Sequence, residues 1–591
     1  MLINTMKQLE DVKPKLLACV NPAVDTETTG TKMFGKDKDI VIGISIDIES
    51  DAYYFPFRHM QGINLPIEAM DFFKSYLSNS DRVFMGWNYK FDEHALYNDG
   101  IEFAPNYEDI MLGLHLLNEN EPNFQLKDTA DRYNVGNGSL EESILKEKVI
   151  QTCHTMNIQV SEAKNSPINY KSKMYVLPPE DVEPYACDDV RLTRGLADLI
   201  KPALKYHGLY DIWKQVNYYS YITGRMEQYG MHVDTNIISN YQNEAVTKSQ
   251  EALDQLNLFA GHEINPNSPK QVCAFLGTSS SASDILDDLI DAGGEQSERA
   301  KLIRNARGWS SVNSRYYTPY MHDIDENGNI HSNLNLMGTI SGRLSCTNPN
   351  LQAVAKKTDV FKVKDVFTAR EGFTIIQADY KQAEMRLATF YAQEETMADL
   401  IRKGADLHSA TAEMLNIPRT AAKRINFGVI YGIGADALSR QLRVDRSIAK
   451  GYLDRYHKLY PGFRRLMKAC ENEAESKRVI HMWTGRMRHF NVEEAYTHKA
   501  MSNLIQGGVA EIMRVTISKI YPAVCDLGGH LMMQVHDSLM MEIPDENVDI
   551  ALRTVKSIME DFTFDPRMEV DIEYGKSWGS LQEWNSESEV V

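Results

Sequence analysis

RTAAKRINFGVIYG, residues 419–432, is the stretch that decides the fold. Arg419, Lys423, Phe427 and Tyr431 recur at i, i+4, i+8 and i+12, which lines two cations and then two aromatics along one stripe of a helix. A helix that only packs on a core puts apolar residues on its buried stripe and charges opposite. This one mixes them along a single line. The stripe suits a nucleoside triphosphate lying lengthwise, with Arg419 and Lys423 toward the phosphates and Phe427 against sugar or base. Gly428 and Gly432 let bases or backbone come close.

Acidic residues flank this helix in the chain. FTIIQAD (373–379) ends on Asp379 and LMMQVHD (531–537) ends on Asp537, so two apolar strands each deliver one carboxylate to a common point if they pair. A second set lies near the N-terminus. Asp25 and Glu27 in VDTET are two residues apart on a strand, which puts both carboxylates on one face. Hard oxygen ligands so placed suit Mg²⁺ or Mn²⁺, and two such ions about 3.5–4 Å apart stabilise attack and departure in phosphodiester hydrolysis. Asp92 in GWNYKFDEHAL and Asp189 in YACDDVRL are further ligand candidates. Tyr185 lies one helical turn before Asp189, close enough to hydrogen-bond an attacking water.

The 591 residues allow roughly three to five domains, which excludes a single small binding module. With 43% hydrophobic and 25% charged residues, disorder as the main state is excluded too. The net charge of −19 speaks against a nucleic-acid binder until it is divided along the chain: residues 301–500 hold 31 Lys and Arg against 21 Asp and Glu. The acidic total therefore hides a basic middle. The seven cysteines are scattered without a CxxC pair, so neither a zinc site nor a disulfide framework is expected. No leader-like or membrane-length apolar run occurs, which points to the cytoplasm. Strand-like runs at 21–55 followed by helical patterns at 66–78 and 92–118 predict an α/β sheet domain ending near residue 200. Residues 205–265 read as helical, 277–298 as a Ser/Gly-rich acidic tip or linker, and NSESEVV (585–591) as a solvated tail.

In order and spacing, DxE, NxxFD and YxxxD resemble the three motifs of DnaQ-like 3′→5′ exonucleases over about residues 20–200. DYKQAEMRLA, RTAAKRINFGVIYG and MMQVHDSL are similar to motifs A, B and C of family A DNA polymerases, the DNA polymerase I family. GTISGRLSCTNPNLQ and EINPNSPKQVCAFLG resemble two further signatures of that family. Together the resemblances cover nearly the whole chain. They imply a multidomain α/β and α+β architecture, an RNase H-like exonuclease domain followed by a right-hand polymerase of palm, fingers and thumb. The expected division is 1–200 exonuclease, 201–340 thumb and start of palm, 341–400 palm with motif A, 401–490 fingers with motif B, and 491–591 palm with motif C.

The resemblance also implies roles. Asp25, Glu27, Asp92 and Asp189, with Tyr185, form the exonuclease site. Asp379 and Asp537 bind two metal ions, helped by the Tyr380 backbone carbonyl; one activates the primer 3′-hydroxyl and the other holds the triphosphate and leaving pyrophosphate. Glu384 fills the space of a ribose 2′-hydroxyl, Gln382 lies beside it on motif A, and His408 in DLHSATAEM approaches the β-phosphate. Arg419, Lys423 and Phe427 hold the dNTP, and Tyr431 borders the template-base pocket. Arg343, Gln506 and His536 touch the minor-groove side of the primer terminus, where acceptors common to every correct pair allow shape to be tested without sequence. Two positions depart from the pattern: Ser538 replaces the usual motif C glutamate, and Ser502 stands where Asn is frequent.

The implied partners are primer-template DNA, dNTPs and a single-stranded 3′ end, acted on by a monomer with two Mg²⁺ per site, Mn²⁺ substituting. Helicase, primase or processivity partners leave no mark in the sequence. Because the chain begins directly with the exonuclease motif, a short bacteriophage-type replicative member without a 5′-nuclease is expected. Two alternatives compete. A single-subunit RNA polymerase is opposed by Glu384 and the exonuclease motifs, and a non-catalytic DNA-binding scaffold by the presence of all six carboxylates.

Overall fold

The computed structural model describes residues 1–49, 51–136, 138–163, 166, 168–491 and 499–585. Residues 586–591 of the expected solvated tail thus lie outside the described residues. Near the N-terminus β1 (Ala23–Thr28), β2 (Val41–Asp47), β3 (Ala52–Pro56), β4 (Phe84–Gly86) and β5 (Tyr107–Asp109) form one sheet in the order β3-β2-β1-β4-β5. The first three strands are antiparallel, and β4 and β5 add in parallel. Every residue of β2 is buried, as expected of a sheet covered on both faces. Around the sheet lie α1 (Tyr89–Tyr97), α2 (Leu126–Tyr133) and α3 (Pro179–Tyr206). α3 crosses β1, β2 and β3, and its Val182, Cys187 and Val190 share a core with Ile42 and Tyr54. On the other face Val24, Ile44 and Phe55 pack with Leu9 and Leu16.

Residues 92–118 do not form one helical stretch. α1 ends in a turn through Gly100, at φ 72°, and the chain then passes through β5 before a helix at Ile110–Leu117. Pairing of β5 with β4 overrides the apolar periodicity there.

α4 (Tyr210–Tyr229) leads into a long pair, α5 (Thr235–Ala260) packed on α6 (Gly294–Val312). Asp234 caps α5 by accepting from the amides of Asn236 and Ile237, and Gly261, at φ 73°, ends it. The expected linker at 277–298 is corrected: it contains a helix at Ser283–Ala292 whose Leu286 packs with Ala300 and Ile303 of α6. Its apolar residues, Ile285, Leu286, Leu289 and Ile290, keep helical spacing inside a Ser- and Gly-rich composition.

The second five-stranded sheet is antiparallel throughout. It contains β6 (Phe373–Tyr380), β7 (His530–Val535), β8 (Ser538–Pro544), β9 (Val570–Gly575) and β10 (Gln582–Glu583), ordered β7-β8-β6-β9-β10. α7 (Ala383–Ala392) follows β6 almost directly, then come α8 (Leu407–Leu415) and α9 (Arg419–Ile430). α10 (Ala500–Asp526) packs against α4, α7 and α11 (Val548–Glu560), and its Val509, Ile512 and Met513 share a core with Ile376 and Met541 of the sheet.

A buried polar network joins the two halves. Glu227 of α4 accepts from Lys90 Nζ at 2.7 Å, pairs with His94 Nε2 at 2.5 Å and accepts from the Leu334 amide. Lys90 and His94 both belong to α1. All seven cysteines are unpaired, and among the described residues no helix is long and apolar enough to cross a membrane.

Candidate active sites

β1 turns the side chains of Asp25 and Glu27 to one face, and α3 brings Asp189 to meet them; one ligand oxygen from each lies within 4.8 Å of the others. Among the described residues this is the one group of three or more acidic, histidine or cysteine side chains so gathered. Asp92, 2% exposed, arrives on α1 and is held by β1, its Oδ1 accepting from the Thr26 amide at 2.9 Å and the Thr26 hydroxyl at 2.6 Å. It stands outside the group of three, yet its charge weighs most among the neighbours of Asp25.

Burial and mutual repulsion push the carboxyls of Asp25 and Glu27 well above the ordinary range. Burial outweighs the Thr26 hydrogen bonds at Asp92, which is pushed up to about 7. Oε1 of Glu27 is buried without a hydrogen-bond partner. Converging hard oxygens, an orphaned acceptor and uncompensated negative charge fit a divalent cation. Tyr185, 5% exposed, lies at the same place, and a cleft of about 1210 Å³ reaches Asp25, Tyr185 and Asp189 between the first sheet and the segment around His331 and Asn335.

Sequence reasoning missed two cations here. Lys127, 5% exposed at the start of α2, is ion-paired with Asp189. Lys171 Nζ donates to the Tyr185 hydroxyl at 3.4 Å and pairs with Glu142 at 2.9 Å. A lysine among helix-forming residues carries no signal of burial, so only the tertiary structure reveals either.

At the second sheet Asp379 ends β6. Asp537 is not on a strand but in the tight turn between β7 and β8, entered through His536 at φ 57°. The turn sits against β6 because the Tyr380 amide donates to the Asp537 carbonyl at 3.3 Å. Cross-strand neighbours of Asp379 are Ser538 on one side and Asp571 on the other. Ser538 is buried and donates its hydroxyl to the Val535 carbonyl at 3.0 Å. Asp571, unnoticed in the sequence, is the acid in register with Asp379, and it pairs with Lys381 at 2.7 Å. Although Asp379 as a residue is exposed, its carboxyl is pushed up to about 7, first by displaced solvent and then by the charges of Asp537, Asp571 and Glu573.

Above the sheet both oxygens of Glu384 are engaged, Oε1 by Arg343 Nη2 and Oε2 by the Tyr431 hydroxyl, and Gln506 bonds Tyr431 in turn. The structure thereby gathers Arg343, Glu384, Tyr431 and Gln506. Gln382 caps α7 at φ 49°. The side chain of Tyr380 points into the core, toward Thr516 and the Met559 carbonyl, leaving only its backbone toward the sheet edge.

The expected stripe on α9 is modified at both ends. Arg419 turns onto Asp406, donating from Nη2 at 2.6 Å and Nε at 3.0 Å, and Tyr431 lies one residue past the helix. Lys423 is exposed, and Phe427 lies 5.4 Å from the His408 ring. His408 faces Asn426 Nδ2 at 3.0 Å, and burial with the charges of Arg419 and Lys423 lowers its pKa. An imidazole accepting from an amide NH₂ at Nδ1 carries its proton on Nε2.

Comparison with known proteins assigns two families to two parts of the chain. The model of DNA polymerase family A matches residues 235–580, well over half the chain, and a 3′-5′ exonuclease model matches residues 1–205. DNA polymerase I of Rhizobium leguminosarum is 28% identical over 609 aligned residues, spanning 93% of this chain and 57% of that protein. DNA polymerase I of Pseudomonas aeruginosa is 26% identical, spanning 94% and 63%. The chain thus covers about three fifths of the length of these relatives. The POL domain of Pol1 from M. smegmatis, solved in complex with DNA primer-template and dNTP, shares the fold at a TM-score of 0.78 and 21% identity, covering 98% of this chain and 99% of that one.

Proposed function

The chain belongs to DNA polymerase family A and carries a 3′-5′ exonuclease region; from that premise we propose that it extends a primer 3′ end on a DNA template and removes mismatched 3′ nucleotides at a separate centre. The observation that carries the reading is that one chain presents two carboxylate sets on two different sheets. In this reading residues 1–200 are the proofreading domain, 201–340 the thumb and start of palm, 341–400 and 491–591 the palm, and 401–490 the fingers.

For synthesis, Asp379 at the end of the central strand β6 and Asp537 in the adjoining β7–β8 turn would hold the divalent ions. When bound, divalent ions, Mg²⁺ in our reading, supply the charge that lowers the pKa of the primer hydroxyl and offsets the charge gathering on the triphosphate. The primer 3′-oxygen attacks the α-phosphorus, and pyrophosphate leaves in line. Lys423 on α9 faces the triphosphate, and Arg419 joins it by exchanging Asp406 for a phosphate oxygen. His408, neutral with its proton on Nε2, donates to the β-phosphate without adding charge. Phe427 covers sugar and base. Glu384 cannot swing aside, because Arg343 and Tyr431 hold its two oxygens; a ribose 2′-hydroxyl meets it as a clash, and dNTPs are selected. Arg343, Gln506 and His536 face the primer terminus in the minor groove.

For trimming, Asp25, Glu27, Asp92 and Asp189 would hold the cations, and the Tyr185 hydroxyl orients the water that attacks the terminal phosphodiester. Room for a frayed 3′ end is provided by the cleft of about 1210 Å³. The two carboxylate sets in one chain suit synthesis coupled to proofreading, as replication requires, and a replicative role of the bacteriophage type remains our proposal.

A 5′-labelled primer on a longer template tests the reading. With Mg²⁺ and four dNTPs the label should lengthen to the template end; without dNTPs it should shorten one nucleotide at a time. No change in either condition defeats it.

A further inference from the structure

Lys127 is the more buried of the two lysines in the trimming centre that no motif accounts for. Its ammonium is ion-paired with Asp189, lies 3.2 Å from Asp188 and sits 4.5 Å over the Tyr185 ring. The side chain is 5% exposed and lines the cleft that reaches Asp25 and Tyr185. A lysine buried beside an aspartate is often only a structural ion pair. Here the aspartate is one of the three carboxylates whose oxygens converge within 4.8 Å. The carboxylate that holds the ammonium is therefore also a candidate ligand of the cation site, and the two positive charges compete for it. Asp188 offers the ammonium a second partner on the neighbouring residue, so release from Asp189 does not strand a buried charge.

We propose that Lys127 is the resident counter-ion of the trimming centre: it occupies Asp189 until a divalent cation displaces it, then stays on Asp188 with its ammonium turned to the substrate phosphate. The proposal rests on the exonuclease reading and deepens it. Lys127 acts as a positioning residue while it holds Asp189, and it touches substrate only in the loaded state. A purely structural lysine leaves cation affinity unchanged when replaced; a competitor raises it.

The test uses the full-length chain with Asp379→Ala and Asp537→Ala as parent, so that the second sheet does not bind the probe. Mn²⁺ alone is titrated into the DNA-free protein and followed by electron paramagnetic resonance. Lys127→Met should bind Mn²⁺ about tenfold more tightly than the parent, because a competing positive charge is gone. At saturating Mn²⁺ its single-turnover trimming of single-stranded DNA should be slower by about a hundredfold. Lys127→Arg should keep the parent's Mn²⁺ affinity and recover most of the trimming rate. Should the methionine variant not fold, Lys127→Gln, which retains a hydrogen bond toward Asp188, carries the same two measurements. Unchanged or weaker Mn²⁺ affinity, or trimming at the parent's rate, overturns the proposal. A parent that does not trim at all overturns the exonuclease reading itself, so the two failures are told apart.

Discussion

Replacing Asp92 with Asn should abolish trimming and at the same time make the metal-free protein more stable. Asp92 is 2% exposed, and its Oδ1 accepts from both Thr26 donors. Asn keeps that acceptor and removes only the charge. Burial raises the carboxyl from 3.8 in an open chain to about 7 in the fold. A carboxyl so raised disfavours its ionised form, so the fold loses stability as pH climbs from 3.8 through 7 and stays penalised above. The full difference corresponds to on the order of 4 kcal/mol at pH 8, and sharing of protons among the clustered acids reduces it to about 2–3 kcal/mol. Urea unfolding in EDTA, followed by tryptophan fluorescence with Trp87 near the site, measures it. Asp92→Asn should gain about 2–3 kcal/mol at pH 8 and only about a quarter of that near pH 4.5, and saturating Mg²⁺ at pH 8 should narrow the gap by stabilising the wild type more than the variant. A variant less stable at pH 8, or a gain of equal size at both pH values, refutes the account of the cluster as strained by its own charge.

Three further outcomes follow from other contacts. Glu384→Ala should relax sugar discrimination by about a hundredfold, read as the ratio of dCTP to CTP incorporation opposite a template G; an unchanged ratio removes Glu384 from sugar selection. Glu227→Ala leaves Lys90 and His94 buried without their carboxylate and should cost on the order of 3–5 kcal/mol, with trimming reduced more than extension because both residues sit on the helix of Asp92. Equal losses in the two activities would mean the network does not position that helix. Affinity for primer-template should fall by about 10³ between roughly 50 and 200 mM salt despite the chain's net charge of −19, through the basic middle of the chain; a flat salt response counts against that channel.

Much of both sites is legible in the sequence where the chemistry is local. The two-residue step from Asp25 to Glu27 fixes a shared face once a strand is assumed, and the chain does form β1 there. The four-residue spacing along 419–431 likewise needs only a helix, although Arg419 turns aside to Asp406 because a nearby carboxylate is a better partner than open water. What escapes is whatever depends on distant pairing. Asp571 meets Asp379 only through the β6–β9 register, Lys127 reaches Asp189 only because α2 and α3 pack together, and Glu227 reaches Lys90 across 137 residues. The helix at Ser283–Ala292 escaped for a different reason, since its serine- and glycine-rich surroundings masked an ordinary apolar period.

The central claim, two independent centres in one chain, is met most directly on a primer-template with a 3′-terminal mismatch, with Mg²⁺ and all four dNTPs, comparing Asp379→Ala with Asp92→Ala. The account predicts that Asp379→Ala shortens the primer and never extends it, whereas Asp92→Ala retains the mismatched nucleotide and extends a matched primer at the wild-type rate. A folded protein in which either single substitution removes both activities contradicts it.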